Sequence, residues 1–179
     1  MPFIQLLTNY KTTDTAERKM HQDMLTFANS YPQCLERSLA IGHITTSTWI
    51  TDYSRTHVLL THHRKLDKWL QLGGHADGES NLFKSAMKEA MEESGLTRIH
   101  FLEDGIFDVD IHLIPARKLE PAHYHYDIRF LMEADKNEPL IISHESKDLR
   151  WVEINKLIDL NPEESIMRMV RKHQSRFMV

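Results

Sequence analysis

The sequence is poor in cysteine, glycine and proline, and each shortage removes an option. One cysteine in 179 residues, Cys34, allows no intrachain disulfide; the fold is not stapled, and a reducing, cytoplasmic setting is expected. Six glycines and six prolines leave no collagen-like repeat and no low-complexity linker. No apolar run approaches the roughly 18 residues that a membrane span needs. The opening MPFIQLLTNYKTTD lacks a charged segment followed by a long apolar one, so no signal peptide is expected. A net charge of −4 carries no basic excess, which excludes nucleic acid as a default partner. What remains, 41% hydrophobic and 27% charged residues, is the balance of a globular domain that buries an ordinary core. Histidine is the exception to the scarcity: there are 12.

Residues 14–38 read as helical. Asp14 is a candidate cap, Glu17 follows three residues later, and Met20, Met24, Leu25 and Phe27 fall on one side. Pro32 interrupts, and QCLERS reads as a short further helical piece. This gives an N-terminal helical extension over residues 1–39, ahead of a main domain over 40–179. From Gly42 the texture turns β-branched and aromatic. HITTSTWIT and THVLLTHH predict a hairpin around DYSR, and KWLQL leads into a glycine pair. RIHFLED, GIFDVDIHLIPA, HYHYDIRFLMEA and LRWVEI predict four more strands. NPEESIMRMVRKHQSRF predicts a closing helix with Asn161 as cap and Pro162 at its first position. Strands, helix, strands, helix is the order of a mixed sheet with helices packed on it.

One stretch concentrates unusual requirements. GGHADGESNLFKSAMKEAMEESGL, residues 73–96, holds four of the six glycines and ends in Glu89, Glu92 and Glu93. From about Ser80 it reads as a helix, with Gly95 as the residue that ends it. Leu82, Phe83, Ala86, Met87, Ala90 and Met91 share the arc expected to face the sheet. Glu89 is three residues from Glu92 and four from Glu93, so the three carboxylates crowd one neighbouring face. There they repel by a few tenths of a kcal/mol per pair. A solvated acidic face is one reading. A divalent cation with a preference for oxygen, such as Mg²⁺ or Mn²⁺, is the other, because it removes the repulsion. The glycines favour the second, since Gly73 and Gly74 let backbone approach a ligand without a Cβ in the way.

The stretch resembles the Nudix box, G, five residues, E, seven residues, R-E-U-x-E-E-x-G-U, with U aliphatic. Lys88-Glu89-Ala90-Met91-Glu92-Glu93-Ser94-Gly95-Leu96 matches the second half, and five residues separate Gly73 from Glu79 in the first. The resemblance extends over roughly residues 40–160. It implies an α/β (α+β) fold, a mixed β-sheet sandwiched between α-helices, here with an extra N-terminal helical segment. It also implies a hydrolase acting on phosphoric anhydride bonds of a nucleoside diphosphate linked to another group. Glu89, Glu92 and Glu93 would hold Mg²⁺ or Mn²⁺, with Glu92 and Glu93 also catalytic. The implied partner is a small nucleotide, with neither nucleic acid nor membrane, and a homodimer is compatible with it. Two departures stand out. The family's arginine is Lys88, which keeps the charge but loses the planar fork. Eight residues instead of seven separate Glu79 from Lys88, which leaves Glu79 either structuring the loop or lying near the metal.

Other residues carry weaker expectations. Glu145, in SHESKDLRW, is the best positional match for a general base on a later loop, and Glu120 is the second choice; either would otherwise be a solubility group. Arg64 and Lys65 could meet phosphates or be ordinary turn charges. Gly73, Gly74, His75, Arg64, His123, His125 and Arg129 are the candidate substrate contacts. His123, His125, Asp127 and Arg129 lie at period two and share one strand face, with His112 nearby if the preceding strand pairs with theirs. That face reads as a solvated network, as a substrate contact or proton-transfer group, or as a zinc site built on His123, His125 and Asp127. H-x-H-x-D is similar to the start of the metallo-β-lactamase pattern, but Ile128 stands where its last histidine would be. Isopentenyl diphosphate isomerases share the Nudix fold and need a catalytic cysteine; Cys34 lies outside the core segment, against that reading. A Nudix-fold ligand sensor without turnover is the alternative from another class, and three intact, mutually repelling carboxylates argue against it.

Overall fold

The computed structural model describes residues 3–117 and 121–178. The chain order is α1 (Phe3–Asn9), α2 (Thr15–Ser30), β1 (Gly42–Asp52), β2 (His57–His63), β3 (Lys68–Leu70), β4 (Leu72–His75), α3 (Leu82–Ser94), β5 (Ile99–Phe101), β6 (Asp108–Ile114), β7 (His123–Ala134) and β8 (Ser146–Glu153). A single 3₁₀ turn (Ile154–Lys156), α4 (Leu157–Leu160) and α5 (Glu164–Phe177) complete it. The class is α/β, with a mixed sheet and helices. The strands pair in the order β3-β2-β1-β7-β5, with β4 also on β1, β6 on β7 and β8 on β2. Residues cluster into two compact units, Met1–Ser47 with Gly73–Ala86 and Asp104–Phe130, and Thr48–Leu72 with Met87–Glu103 and Leu131–Val179.

In the first unit, α2 begins as predicted: the Asp14 carboxylate accepts the Glu17 N–H at 2.9 Å. Glu17 does not reach back to close a capping box. The Asp14 N–H goes to the Thr12 hydroxyl at 3.2 Å instead. Glu17 turns inward and is fully buried. It accepts from the Tyr10 hydroxyl at 2.5 Å, the Thr12 hydroxyl at 2.5 Å and the Val109 N–H at 3.0 Å. A helix that reads as an appendage is thereby bonded to β6. α1 was not foreseen; seven residues are too few to hold a helix alone, and Leu6 and Leu7 anchor it by burial. QCLERS forms turns, not helix. Pro32 lacks an N–H and pushes its predecessor out of helical geometry, so α2 ends at Ser30. β6 and β7 pair antiparallel, with His112 opposite His125 and Asp108 opposite Arg129.

In the second unit, β1 and β2 form the predicted hairpin, Thr51 opposite Val58. Asp52 organises its turn, accepting from the N–H groups of Thr56 and His57 at 3.0 and 2.9 Å. β2 continues antiparallel onto β3 and β8. Trp49, Ile50, Leu59, Leu60 and Leu72 are fully buried here. The closing helix starts two residues later than expected, at Glu164. Asn161 is a buried bracket, not a cap: its amide donates to the Trp69 carbonyl at 2.9 Å and its oxygen accepts the Glu163 N–H at 3.0 Å.

Candidate active site

α3 is capped by Asn81, whose side chain accepts the Lys84 N–H at 3.3 Å. Gly95 closes it at φ 73°, donating to the Met91 carbonyl at 2.8 Å. The buried stripe is rotated from the expected arc. Leu82, Ser85, Ala86, Ala90, Glu93 and Ser94 are buried, whereas Met91 is exposed. Small residues do the packing: Ser85 and Thr46 share a hydroxyl hydrogen bond at 3.1 Å, and the Ser94 hydroxyl returns to the Ala90 carbonyl. This rotation carries Glu93 inward.

The second unit gathers the carboxylates. Glu89 is mostly covered, Glu93 is buried, and Glu92 points to solvent. Lys88 bridges Glu89 and Glu92 at 3.5 and 3.4 Å; its charge fills the place of the family's arginine without a bidentate fork. The Glu89 carboxyl is held above its ordinary range, first by burial, with Glu92 and Glu145 adding to the rise and Lys88 opposing it. Glu145 therefore stands within electrostatic range of the helix. Its loop is held by Arg64, whose guanidinium donates to the His144 and Ser146 carbonyls at 3.1 and 2.7 Å, while the Arg64 N–H donates to the Glu145 carbonyl at 2.9 Å. Arg64 is thus directed at the backbone that carries Glu145. Glu120 lies outside the described residues.

The first unit contains the glycine strand and the histidines. A Cβ on Gly73 would sit 2.4 Å from the Thr46 carbonyl and 2.4 Å from the Ser47 side chain, so β4 needs this glycine to lie against β1. Glu79 structures the loop: it accepts the Asn81 N–H at 2.9 Å and pairs with Lys84 at 2.7 Å. Arg129 is only 2% exposed. Its guanidinium meets Asp127 at 2.8 Å, Asp108 at 3.1 Å and Asp110 at 3.3 Å. Burial alone would lower its pKa, but these three carboxylates outweigh that and hold it above the ordinary value. Asp127 also accepts from the Thr45 and Ser47 hydroxyls at 3.0 and 2.6 Å.

Five histidines meet on this side. His43 lies 4.9 Å from His75 and His125 and 5.1 Å from His123, between ring centroids. His75 and His112 lie 5.1 and 5.5 Å from His125. His43 is lowered to about 4 and His125 to about 2, first by burial and then by the neighbouring histidines. His43 was missed in the sequence. It could have been found by period: His43, Thr45 and Ser47 alternate on β1 as His123, His125 and Asp127 do on β7, and the two triplets meet.

The Nudix domain model matches residues 43–172, and the chain belongs to the Nudix family. Solved structures share the fold at low identity. An Ap4A hydrolase from C. elegans aligns with TM-score 0.61 and 17% identity, over 75% of this chain and 97% of its own. The dihydroneopterin triphosphate pyrophosphohydrolase of E. coli aligns with TM-score 0.56 and 14% identity, over 75% and 94%. The NUDIX domain of Shewanella oneidensis NrtR, crystallised with ADP ribose, aligns with TM-score 0.54 and 14% identity, over 84% and 95%. A search of the curated proteins finds no match. No helix among the described residues is long and apolar enough to cross a membrane.

Proposed function

We propose that this protein is a divalent-cation-dependent pyrophosphohydrolase, cleaving a nucleoside diphosphate linked to a second group by attack of water on phosphorus. The observation that carries this is the grouping of Glu89, Glu92 and Glu93 on one end of α3, with Glu145 in electrostatic range of Glu89. The donor set fits a hard cation: all four side chains offer carboxylate oxygens, and a single lysine, Lys88, balances Glu89 and Glu92. Mg²⁺ or Mn²⁺ held there would offset phosphate charge and lower the pKa of an attacking water. Glu89 and Glu93, the covered pair, hold position, while Glu92 faces solvent. Glu145 takes the proton from water, on a loop that Arg64 keeps in place. Substrate contact is assigned to Gly73, Gly74, His75, His123 and His125, and positioning to Arg64 and Arg129. The small-molecule nucleotide partner and a cytoplasmic location belong to the same reading.

The test is turnover of a panel of NTPs, NDP-sugars, ADP-ribose, dinucleoside polyphosphates, NADH and CoA with Mg²⁺ or Mn²⁺. Glu93→Gln should lower kcat by at least about 100-fold, and Glu145→Gln by about 10²–10⁴-fold with KM little changed. No turnover of any compound, or turnover untouched by Glu93→Gln, would overturn the proposal and leave a ligand-binding module without catalysis.

A further inference from the structure

We propose that His43, His123 and His125 form a second, chemically different cation site, a three-imidazole site for Zn²⁺. One ring nitrogen from each of the three lies within 4.8 Å of the others. The Nε2 atoms of His123 and His125 are 3.3 Å apart. Two imidazoles on one tetrahedral zinc, each bonded at about 2.0–2.1 Å, place their nitrogens about 3.3 Å apart. The backbone therefore already holds two ligands at the separation the metal needs, and His43 closes the triangle from β1.

His43 supplies the independent observation. Its side chain is buried, at 3% exposure, and neither ring nitrogen has a hydrogen-bond partner. The Leu39 carbonyl lies close enough to influence the ring, but it makes no hydrogen bond of normal geometry to either ring nitrogen and accepts the Gly42 N–H at 3.1 Å. Buried polar atoms are almost always satisfied, and an orphan in a native core calls for an unplaced water or ion. An imidazole aimed into a group of other imidazoles gains nothing from them as a charged species. As a neutral ligand to a shared cation, it is satisfied at once.

Orientation is in place as well. His123 Nδ1 lies 2.9 Å from the Pro121 carbonyl. A carbonyl can only accept, so Nδ1 carries the proton and Nε2 presents its lone pair toward His125. Metal-binding histidines are commonly fixed by such an outer hydrogen bond. Imidazole donors favour Zn²⁺ over Mg²⁺, which separates this site from the carboxylates of α3. Asp127 is not a ligand; it is buried and bonded to Thr45, Ser47 and Arg129. Three protein nitrogens would leave a fourth position for water or an anionic oxygen; the His75 ring packs 4.9 Å from His43 and 5.1 Å from His125.

The test uses the full chain stripped with a chelator, then titrated with Zn²⁺ alone by calorimetry and with Co²⁺ by visible absorption. One Zn²⁺ per chain should bind to the wild type, with Co²⁺ showing the intense bands of a four-coordinate site. The Glu89→Gln/Glu92→Gln/Glu93→Gln variant should lose turnover and keep this binding, which separates the site from the hydrolase reading. His43→Gln and His123→Gln should each weaken Zn²⁺ by at least about 100-fold. His43 is buried, so His123→Gln, at a part-exposed position, decides if the first variant misfolds. Zn²⁺ should raise the melting temperature of the wild type and leave that of His123→Gln unmoved. Absence of Zn²⁺ binding in the triple-glutamate variant, or unchanged affinity in a folded His123→Gln, would overturn the proposal.

Discussion

Replacing Arg129 by Met separates a structural from a substrate-contacting arginine. Arg129 holds three buried carboxylates, at 2.8, 3.1 and 3.3 Å, with 2% of its own surface exposed. Breaking a buried ion pair by removing one partner costs about 3–5 kcal/mol, because the other charge stays buried and uncompensated. Here the loss strands Asp108, Asp110 and Asp127 together. The Thr45 and Ser47 hydroxyls continue to serve Asp127, and His112 stays 3.3 Å from Asp110, so the estimate lies near the middle of that range, about 4 kcal/mol. For a domain of this size each kcal/mol lowers the melting temperature by about 2–4 °C. Arg129→Met should therefore melt about 8–16 °C below wild type by calorimetry. Arg129→Lys should fall between them, since one ammonium cannot span three carboxylates. A melting temperature within about 2 °C of wild type, together with a large fall in kcat/KM, would refute the argument and return Arg129 to the substrate.

Glu89 and Glu17 offer two further tests. Because Glu89 keeps its proton above the ordinary 4.5 in the folded chain, the folded state binds more protons than the unfolded one in that range. Stability without metal should then fall as pH rises above 4.5, until the folded-state carboxyl has lost its proton. Added Mg²⁺ should reverse the trend, and Glu89→Gln should remove both effects; melts with and without chelator that show no slope would contradict this. Glu17→Ala strands the buried Val109 N–H and removes two further hydrogen bonds, for a cost of about 3–5 kcal/mol. Amide exchange at Val109 should quicken with it; an unaltered melting temperature would mean that residues 1–39 are only appended.

The strand and helix pattern was legible because it rests on local chemistry. Alternation in HYHYDIRFLMEA, the cap at Asp14 and the glycine at residue 95 each report backbone preferences within a few residues. The boundary errors have the same origin. Asn161 looks like a cap by type, but its amide is claimed by the Trp69 carbonyl from a distant strand. Glu17 looks like half of a capping box, but a buried N–H on β6 competes for it and wins. Met91 sits on the arc that hydropathy favours, yet Ser85, Ala86 and Ser94 pack more closely and turn α3 away from it.

By itself the sequence determined the family and the grouping of carboxylates on its signature helix. The spacing of Glu89, Glu92 and Glu93 is a property of one helix, and no other part of the chain is needed to bring them together. Only the tertiary structure decided what surrounds them. Glu145 reaches Glu89 from a loop more than fifty residues away, Arg64 is turned to the backbone of that loop, and Arg129 is enclosed by aspartates from two strands. His43 joins His123 and His125 across eighty residues of chain. Contacts of this kind depend on strand register and packing; local alternation nominates the residues but does not say which strands meet.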